Sequence, residues 1–385
     1  MRAAPDMRLL ALTCGNFALG TASMCMVGLL NEVSADLDLP VAKAGQLASA
    51  SYIVAALLAP VIAFFTGRMQ RRTVLLLALA TSVAAQLASA LAVGFWSLFA
   101  ARLLFGAGVA AHAPTAAATS SLLAKPEERG SAVSLVMAGF ALAGVIGVPL
   151  GVWFGGLFGW RATMYATTGL ILATLLGVAV TIPSRLPRAS LSRGAWGQTL
   201  RNGAVRATLA ITLVMSIGQM SAFAYIAPLL RQALDAGPNT IAALMGVLGL
   251  SSIAGSLAGM RFMDSVRPQR MIRFSAVLVM LAMLLWPFVH GSVAGCVVVI
   301  ILWGAGSMTL YSAVSAQILM VSHELASVAM AINTSVNFFG NVLGTALGGM
   351  LVSGIGLSAL SWACFASYGC VLLVLPAIGR RVQGA

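Results

Sequence analysis

The 385-residue sequence predicts an all-α integral membrane protein, with twelve transmembrane helices in two pseudo-symmetric six-helix bundles. Composition is the first reason. Some 60% of residues are hydrophobic and 8% are charged, and the mean hydropathy is +0.99. A soluble protein charges roughly a quarter of its residues to cover its surface. This chain falls far short, so most of its outside faces lipid. The second reason is that apolar runs of about 20 residues, the length that crosses hydrocarbon, recur twelve times. The third is a single long polar break, 184–206, which leaves six runs on either side.

In chain order the spans are expected at 8–30, 43–66, 73–94, 97–122, 132–157 and 162–183. After the break they resume at 207–229, 240–260, 271–290, 292–319, 327–352 and 357–379. Arg8 ahead of the first run resembles the start of a signal peptide. That run continues to about Leu30, too long for a signal-peptide apolar core, and reads as a span. The domains are then 1–183, an N-terminal bundle, and 207–385, a C-terminal bundle. Between them 184–206 carries Arg185, Arg188, Arg193, Arg201 and Arg206 with no acid, as a cytoplasmic basic linker would.

Charge sets the expected orientation. With the amino terminus inside, 18 of the 22 Lys and Arg residues fall on the cytoplasmic side. Only Lys43, Arg161 and Arg231 fall outside, and Arg102 lies within a span. Basic residues concentrate on the cytoplasmic side of membrane proteins, so both termini are expected there, in a bacterial inner membrane. The net charge of +13 would suggest nucleic acid in a soluble chain. Here the arginines sit between apolar runs, where anionic headgroups of the lipid bilayer are the partner; no nucleic acid is expected. Cys14, Cys25, Cys296, Cys364 and Cys370 all lie in apolar runs without metal-binding spacing and read as small core residues.

The two halves echo each other. Gly147, Gly151 and Gly155 recur at four-residue spacing in the fifth span, as do Gly340, Gly344 and Gly348 in the eleventh. Such stripes let helix backbones approach closely in lipid. Leucine at Gly147, Gly151, Gly340 or Gly344 is expected to overpack. Ala282, four residues from Leu278 and Trp286, serves as a tolerant control.

Several stretches resemble the major facilitator superfamily, and within it the drug:proton antiporter-like branch with sugar-efflux and chloramphenicol-efflux relatives. After the second span, Arg68, Arg71 and Arg72 match the basic part of the G-x-x-x-D-R-x-G-R-R loop, with Ala63, Gly67 and Gln70 in place of its first glycine, its acid and its second glycine. That part reads either as gating residues or as positive-inside charge. Arg102, Gly106 and Gly108 are similar to the fourth-span R-x-x-q-G-x-g pattern. Gly139, Gly144, Gly147, Pro149 and Gly151 are similar to the fifth-span antiporter signature, followed by Gly159, Trp160 and Arg161. Gly20 and Thr21 fit the same branch, with Ser23 where it has an acid. Asp264, at an inner helix end, is the remaining motif candidate.

The resemblance implies the major facilitator fold, with helices one, four, seven and ten lining a central cavity. Candidates there are Asn16, Ser23 and Met24, then Arg102 and His112, then Gln219 and Tyr225, and finally Trp303 and Tyr311. Arg102 either anchors a substrate or snorkels to the outer surface. His112 is either a neutral packing residue or a proton-handling group. Asn333, Asn337 and Asn341 share one helix face and read as interhelical glue or cavity lining.

These residues point to a secondary active transporter that moves a small-molecule substrate by alternating access. Efflux of a neutral or anionic organic solute is the first reading, with a proton as candidate coupling partner in an antiporter. Uptake or facilitated transport of an anionic metabolite by the same fold is the alternative, and a non-transporting membrane sensor is the reading from another class. No carboxylate pair, Ser–His pair or metal set falls within the spans, and no phosphate-binding G-x-x-x-x-G-K-[ST] loop occurs. No enzyme activity, cofactor or metal is expected, and a monomer is.

Overall fold

A computed structural model of the chain describes residues 6–66, 69–125, 128–184, 199–263, 266–321 and 326–382. In hydrocarbon every backbone N–H and C=O needs an internal partner, and among the described residues the chain meets this with helices and no strands. The helices are α1 (Met7–Gly28), the short α2 (Leu30–Asp36), α3 (Val41–Thr66), α4 (Arg71–Ala90) and α5 (Phe95–Leu123). Next come α6 (Arg129–Leu142), a π turn (Ala143–Gly147), α7 (Val148–Phe158) and α8 (Trp160–Thr181). They continue as α9 (Gly203–Phe223), the short α10 (Ile226–Leu234), α11 (Pro238–Met263) and α12 (Pro268–Leu285). The last are α13 (Val293–Val321), α14 (Ala326–Gly354) and α15 (Ala359–Val382).

Eleven of these segments are long and apolar enough to span a membrane, α6 to α7 counting as one. The twelfth is α3, a 26-residue helix that includes the apolar stretch Val41–Leu57. The twelve expected spans are all present. Asn202 starts α9 as its N-cap, accepting from the Ala204 and Val205 amides. Gly159 separates α7 from α8 at a φ of +86°, a conformation that side chains bearing a Cβ disfavour.

The fifth span is not one regular α-helix. Pro149 has no N–H to give to the preceding turn, and the backbone ahead of it widens into the π turn, with Val148 N–H donating to Ala143 C=O. Four-residue steps along an α-helix overshoot a full turn by about 40°. A π turn winds less per residue, which brings the glycines on either side of it back toward one face.

The chain divides into two compact units, Met1–Leu39 with Ala50–Leu191, and Pro40–Ser49 with Ser192–Ala385. The start of α3 thus groups with the second unit. In the first unit α1 packs on α6 and α8, α4 on α5 and α8, and α5 on α6. In the second, α9 packs on α14 and α15, α12 on α13 and α15, and α11 on α13. First helix against fifth and sixth, and third against fourth and sixth, is the same plan twice.

The glycine stripes make these contacts. Cβ atoms added at Gly147 and Gly151 would run into Thr21 and Cys25 of α1, and one at Gly155 into Leu29, which caps that helix. At Gly340, Gly344 and Gly348 they would meet Ser216, Ile217 and Ser221 of α9. Ala282 does not behave as a tolerant site, because it is fully buried. Its i±4 neighbours fix its own helix surface, whereas burial is set by the helices packed against it. Cys14 and Cys370 are also exposed rather than core.

Candidate functional site

In the first unit the site is built around α5. Gly106 lies against the Ser51 backbone of α3, and Gly108 against Ser82 of α4, too closely for any side chain. Ser51 Oγ donates to the Arg102 carbonyl at 3.0 Å. This packing holds Arg102 at 0% exposure, so it does not snorkel. Its Nη1 donates to the Ala22 carbonyl at 3.3 Å and to Gln86 Oε1 at 3.5 Å. Its Nη2 donates to the Ser23 carbonyl at 3.4 Å, and its Nε has no partner. The guanidinium also lies 4.8 Å from the Phe105 ring centroid.

These contacts are long for hydrogen bonds, which cluster near 2.9–3.0 Å. Among the described residues no carboxylate pairs with Arg102. Gln86 is held in place by Nε2 donating to Thr167 Oγ1 at 2.8 Å, which turns its carbonyl toward the arginine. Among the described residues the buried cation is therefore met by neutral dipoles and the face of an aromatic ring. Such an arrangement favours an incoming anion or oxygen-rich group and disfavours a cation.

His112 lies farther along α5, fully buried, with neither ring nitrogen hydrogen-bonded. Gly15 of α1 makes room for it, since a Cβ there would stand 2.6 Å from Nε2. Ser23 and Met24 are half-buried on α1. Asn16 is fully buried and donates to the Val136 carbonyl at 2.9 Å, tying α1 to α6.

In the second unit the centre is Gln219 on α9. Its Oε1 accepts from Trp303 Nε1 at 2.9 Å, Ser307 Oγ at 2.8 Å and Tyr368 Oη at 3.0 Å. Tyr225 is buried, its hydroxyl placed against the Thr345 and Ala42 carbonyls at 3.2 and 3.3 Å. Tyr311 is half-buried on α13. Asn333 Oδ1 accepts from Thr212 at 2.6 Å, and Asn337 Nδ2 donates to Ser216 at 2.8 Å, both bridging α14 to α9.

The family model of the Major Facilitator Superfamily matches residues 12–345. The chain belongs to the Major Facilitator Superfamily. Inner membrane transport protein YdhP of Escherichia coli K12 is 26% identical over 351 residues, 91% of this chain and 90% of the relative. A probable sugar efflux transporter of Pasteurella multocida is 27% identical over 375 residues, 96% and 91% of the two chains. The fold is shared with a bacterial homolog of the human lysosomal transporter Spinster, solved in an inward-facing, occupied conformation. The TM-score is 0.76 at 15% identity, over 99% of this chain and 98% of that one.

Major facilitator proteins are secondary transporters, and the sequence resemblance to the superfamily holds. Of the motif residues, Arg72 donates to the Ala179 carbonyl near the end of α8. Arg71 starts α4, and Pro149 stands just after the π turn. Arg68 and Asp264 lie outside the described residues, as does most of 184–206.

Sequence reasoning missed Gln86 and Tyr368. Each is a polar residue inside a predicted span, but on the third and twelfth spans, whereas the cavity candidates were drawn chiefly from spans one, four, seven and ten. Gly15 was missed as well. Only the structure shows that its missing side chain is the space His112 occupies.

Proposed function

We propose that this transporter exports a small organic solute, neutral or anionic, across a bacterial inner membrane by alternating access. The observation that carries the substrate charge is Arg102, wholly buried and unpaired by any carboxylate among the described residues. Placing an arginine in hydrocarbon is unfavourable by roughly 2.5–3.5 kcal/mol, and a partner anion or polar oxygen supplied by the substrate offsets that penalty. A lipophilic cation would instead meet like charge in a poorly screened setting. Export is supported by the similarity to the probable sugar efflux transporter. The reading further has the termini and the 184–206 linker cytoplasmic, from the distribution of basic residues. It has the protein act as a monomer without enzymatic chemistry, coupled to a proton, with His112 as the embedded group that carries it.

The test is flux in oriented proteoliposomes, screening neutral sugars, small carboxylates and ethidium under an imposed pH gradient. A sugar or carboxylate is expected to move and ethidium is not. Arg102→Ala is expected to lower that flux at least tenfold, with Arg102→Lys recovering part of it. Ethidium antiport that persists in both Arg102→Ala and His112→Ala would falsify the reading. Counterflow from each face separates export from uptake.

A further inference from the structure

The amide of Gln219 has a chemically fixed orientation. An indole N–H donates and cannot accept, so the Gln219 atom facing Trp303 Nε1 is the carbonyl oxygen; a flipped amide would set N–H against N–H. Ser307 and Tyr368 converge on that same oxygen, which leaves it no free lone pair. Trp303 and Tyr368 are each 1% exposed, so this side of the network is sealed. The other side is not. Gln219 is half-buried, and its Nε2 makes no hydrogen bond among the described residues yet is not a sealed atom. Two N–H groups facing lipid tails would be unfavourable, so they look onto a space that admits water or a ligand. Phe223, one turn further along α9, packs edge-on to Trp303 at a centroid separation of 6.5 Å and is itself half-buried.

We infer that Gln219 Nε2 is a donor-only substrate subsite, taking a carbonyl, carboxylate or ether oxygen with an apolar or aromatic group alongside on Phe223. The inference rests on the transport reading above and deepens it. Toward a ligand, Arg102 in the first unit and Gln219 in the second each present donors only, the Gln219 oxygen being already taken by Trp303, Ser307 and Tyr368. The substrate class is therefore rich in oxygen acceptors, and a ligand whose polar group is an ammonium finds no acceptor at either residue.

The experiment is thermal unfolding of the detergent-purified full chain with three probes of similar size: acetophenone, benzoate and benzylammonium. Acetophenone and benzoate are expected to raise the unfolding temperature with concentration, and benzylammonium is not. Gln219→Glu keeps an oxygen for Trp303, Ser307 and Tyr368 but puts oxygen where the outward amine was. It is expected to weaken acetophenone by about tenfold or more, the equivalent of a lost hydrogen bond, and to admit benzylammonium. Gln219→Met, similar in length and without a donor, repeats the loss should the glutamate variant fold poorly. Equal acetophenone shifts in wild type and both variants overturn the subsite. So does a wild-type chain that responds to benzylammonium alone or to neither acceptor. Because the readout is binding, a chain that keeps this pattern yet moves no solute in proteoliposomes fails the transport reading and keeps the subsite.

Discussion

Asn337 on α14 donates from Nδ2 to the Ser216 hydroxyl on α9 at 2.8 Å, and Ser216 donates onward to the Thr212 carbonyl at 2.7 Å. One turn away Thr212 donates to Asn333, so the asparagine stripe and the glycine stripe that follows it join the same two helices. The Asn337 amide and the Ser216 hydroxyl thus satisfy each other where lipid cannot, whereas Asn333 Nδ2 is buried without a partner.

The first prediction follows from that pair. A double-mutant cycle of Asn337→Ala and Ser216→Ala is expected to show coupling of about 0.6 kcal/mol, and at most about 1.7, the range for hydrogen bonds between membrane helices. Unfolding titrations in mixed micelles measure it. Additive single variants would show that the bond does not hold α14 to α9.

Close packing of the stripes gives the second. Leucine at Gly147, Gly151, Gly340 or Gly344 is expected to destabilise by about 1–3 kcal/mol through overpacking. Since Ala282 is buried, the proper control is Gly169, where an added Cβ meets no atom within 4 Å. Gly169→Leu is expected to leave stability nearly unchanged. If all five variants behave alike, the stripes are not contacts.

A third prediction concerns the Asp36 carboxylate at the end of α2. The hydrogen bond from Arg161 holds its pKa below the ordinary 3.8, with Trp160 Nε1 donating to the same oxygen. A depressed folded-state pKa adds stability above the unfolded pKa and loses it as pH falls through the folded value. Wild type is therefore expected to exceed Asp36→Asn in unfolding temperature at pH 7, with the gap closing below about pH 4. Both partners are more than a third exposed, so 1 M salt is expected to shrink the gap at pH 7 as well. A gap that survives both acid and salt would count against the ion pair.

The fourth concerns His112. A neutral imidazole always carries one N–H and one lone pair, and here both ring nitrogens are buried without partners. Replacing it with leucine removes those unmet groups, so stability is expected to hold or to rise by up to about 1 kcal/mol. If His112 carries the coupled proton, the flux response to an imposed pH gradient disappears in the same variant. A stable His112→Leu chain that keeps its full pH-gradient response would rule the residue out of coupling.

The sequence alone determined the class of solvent, the twelve spans and the family resemblance. Each of these depends on quantities that survive without coordinates. Charge scarcity reports lipid, run length reports hydrocarbon thickness, and ordered motifs such as Arg102, Gly106 and Gly108 report the superfamily. It also singled out Arg102 and Gln219, because a polar group inside an apolar run must face something other than lipid.

Only the tertiary structure decided what each one faces. A soluble helix marks its buried side by a polar opposite face, but a spanning helix is apolar all round and carries no such mark. Ala282 was misjudged for that reason. The same blindness hid Gln86 beneath Arg102, Tyr368 on Gln219, and the gap at Gly15 that His112 fills. The π turn ahead of Pro149 was equally hidden, although the proline itself was plain. Hydropathy fixes how much of the chain is in the membrane; the direction of each side chain is fixed by helices far away in sequence, whose packing no local pattern records.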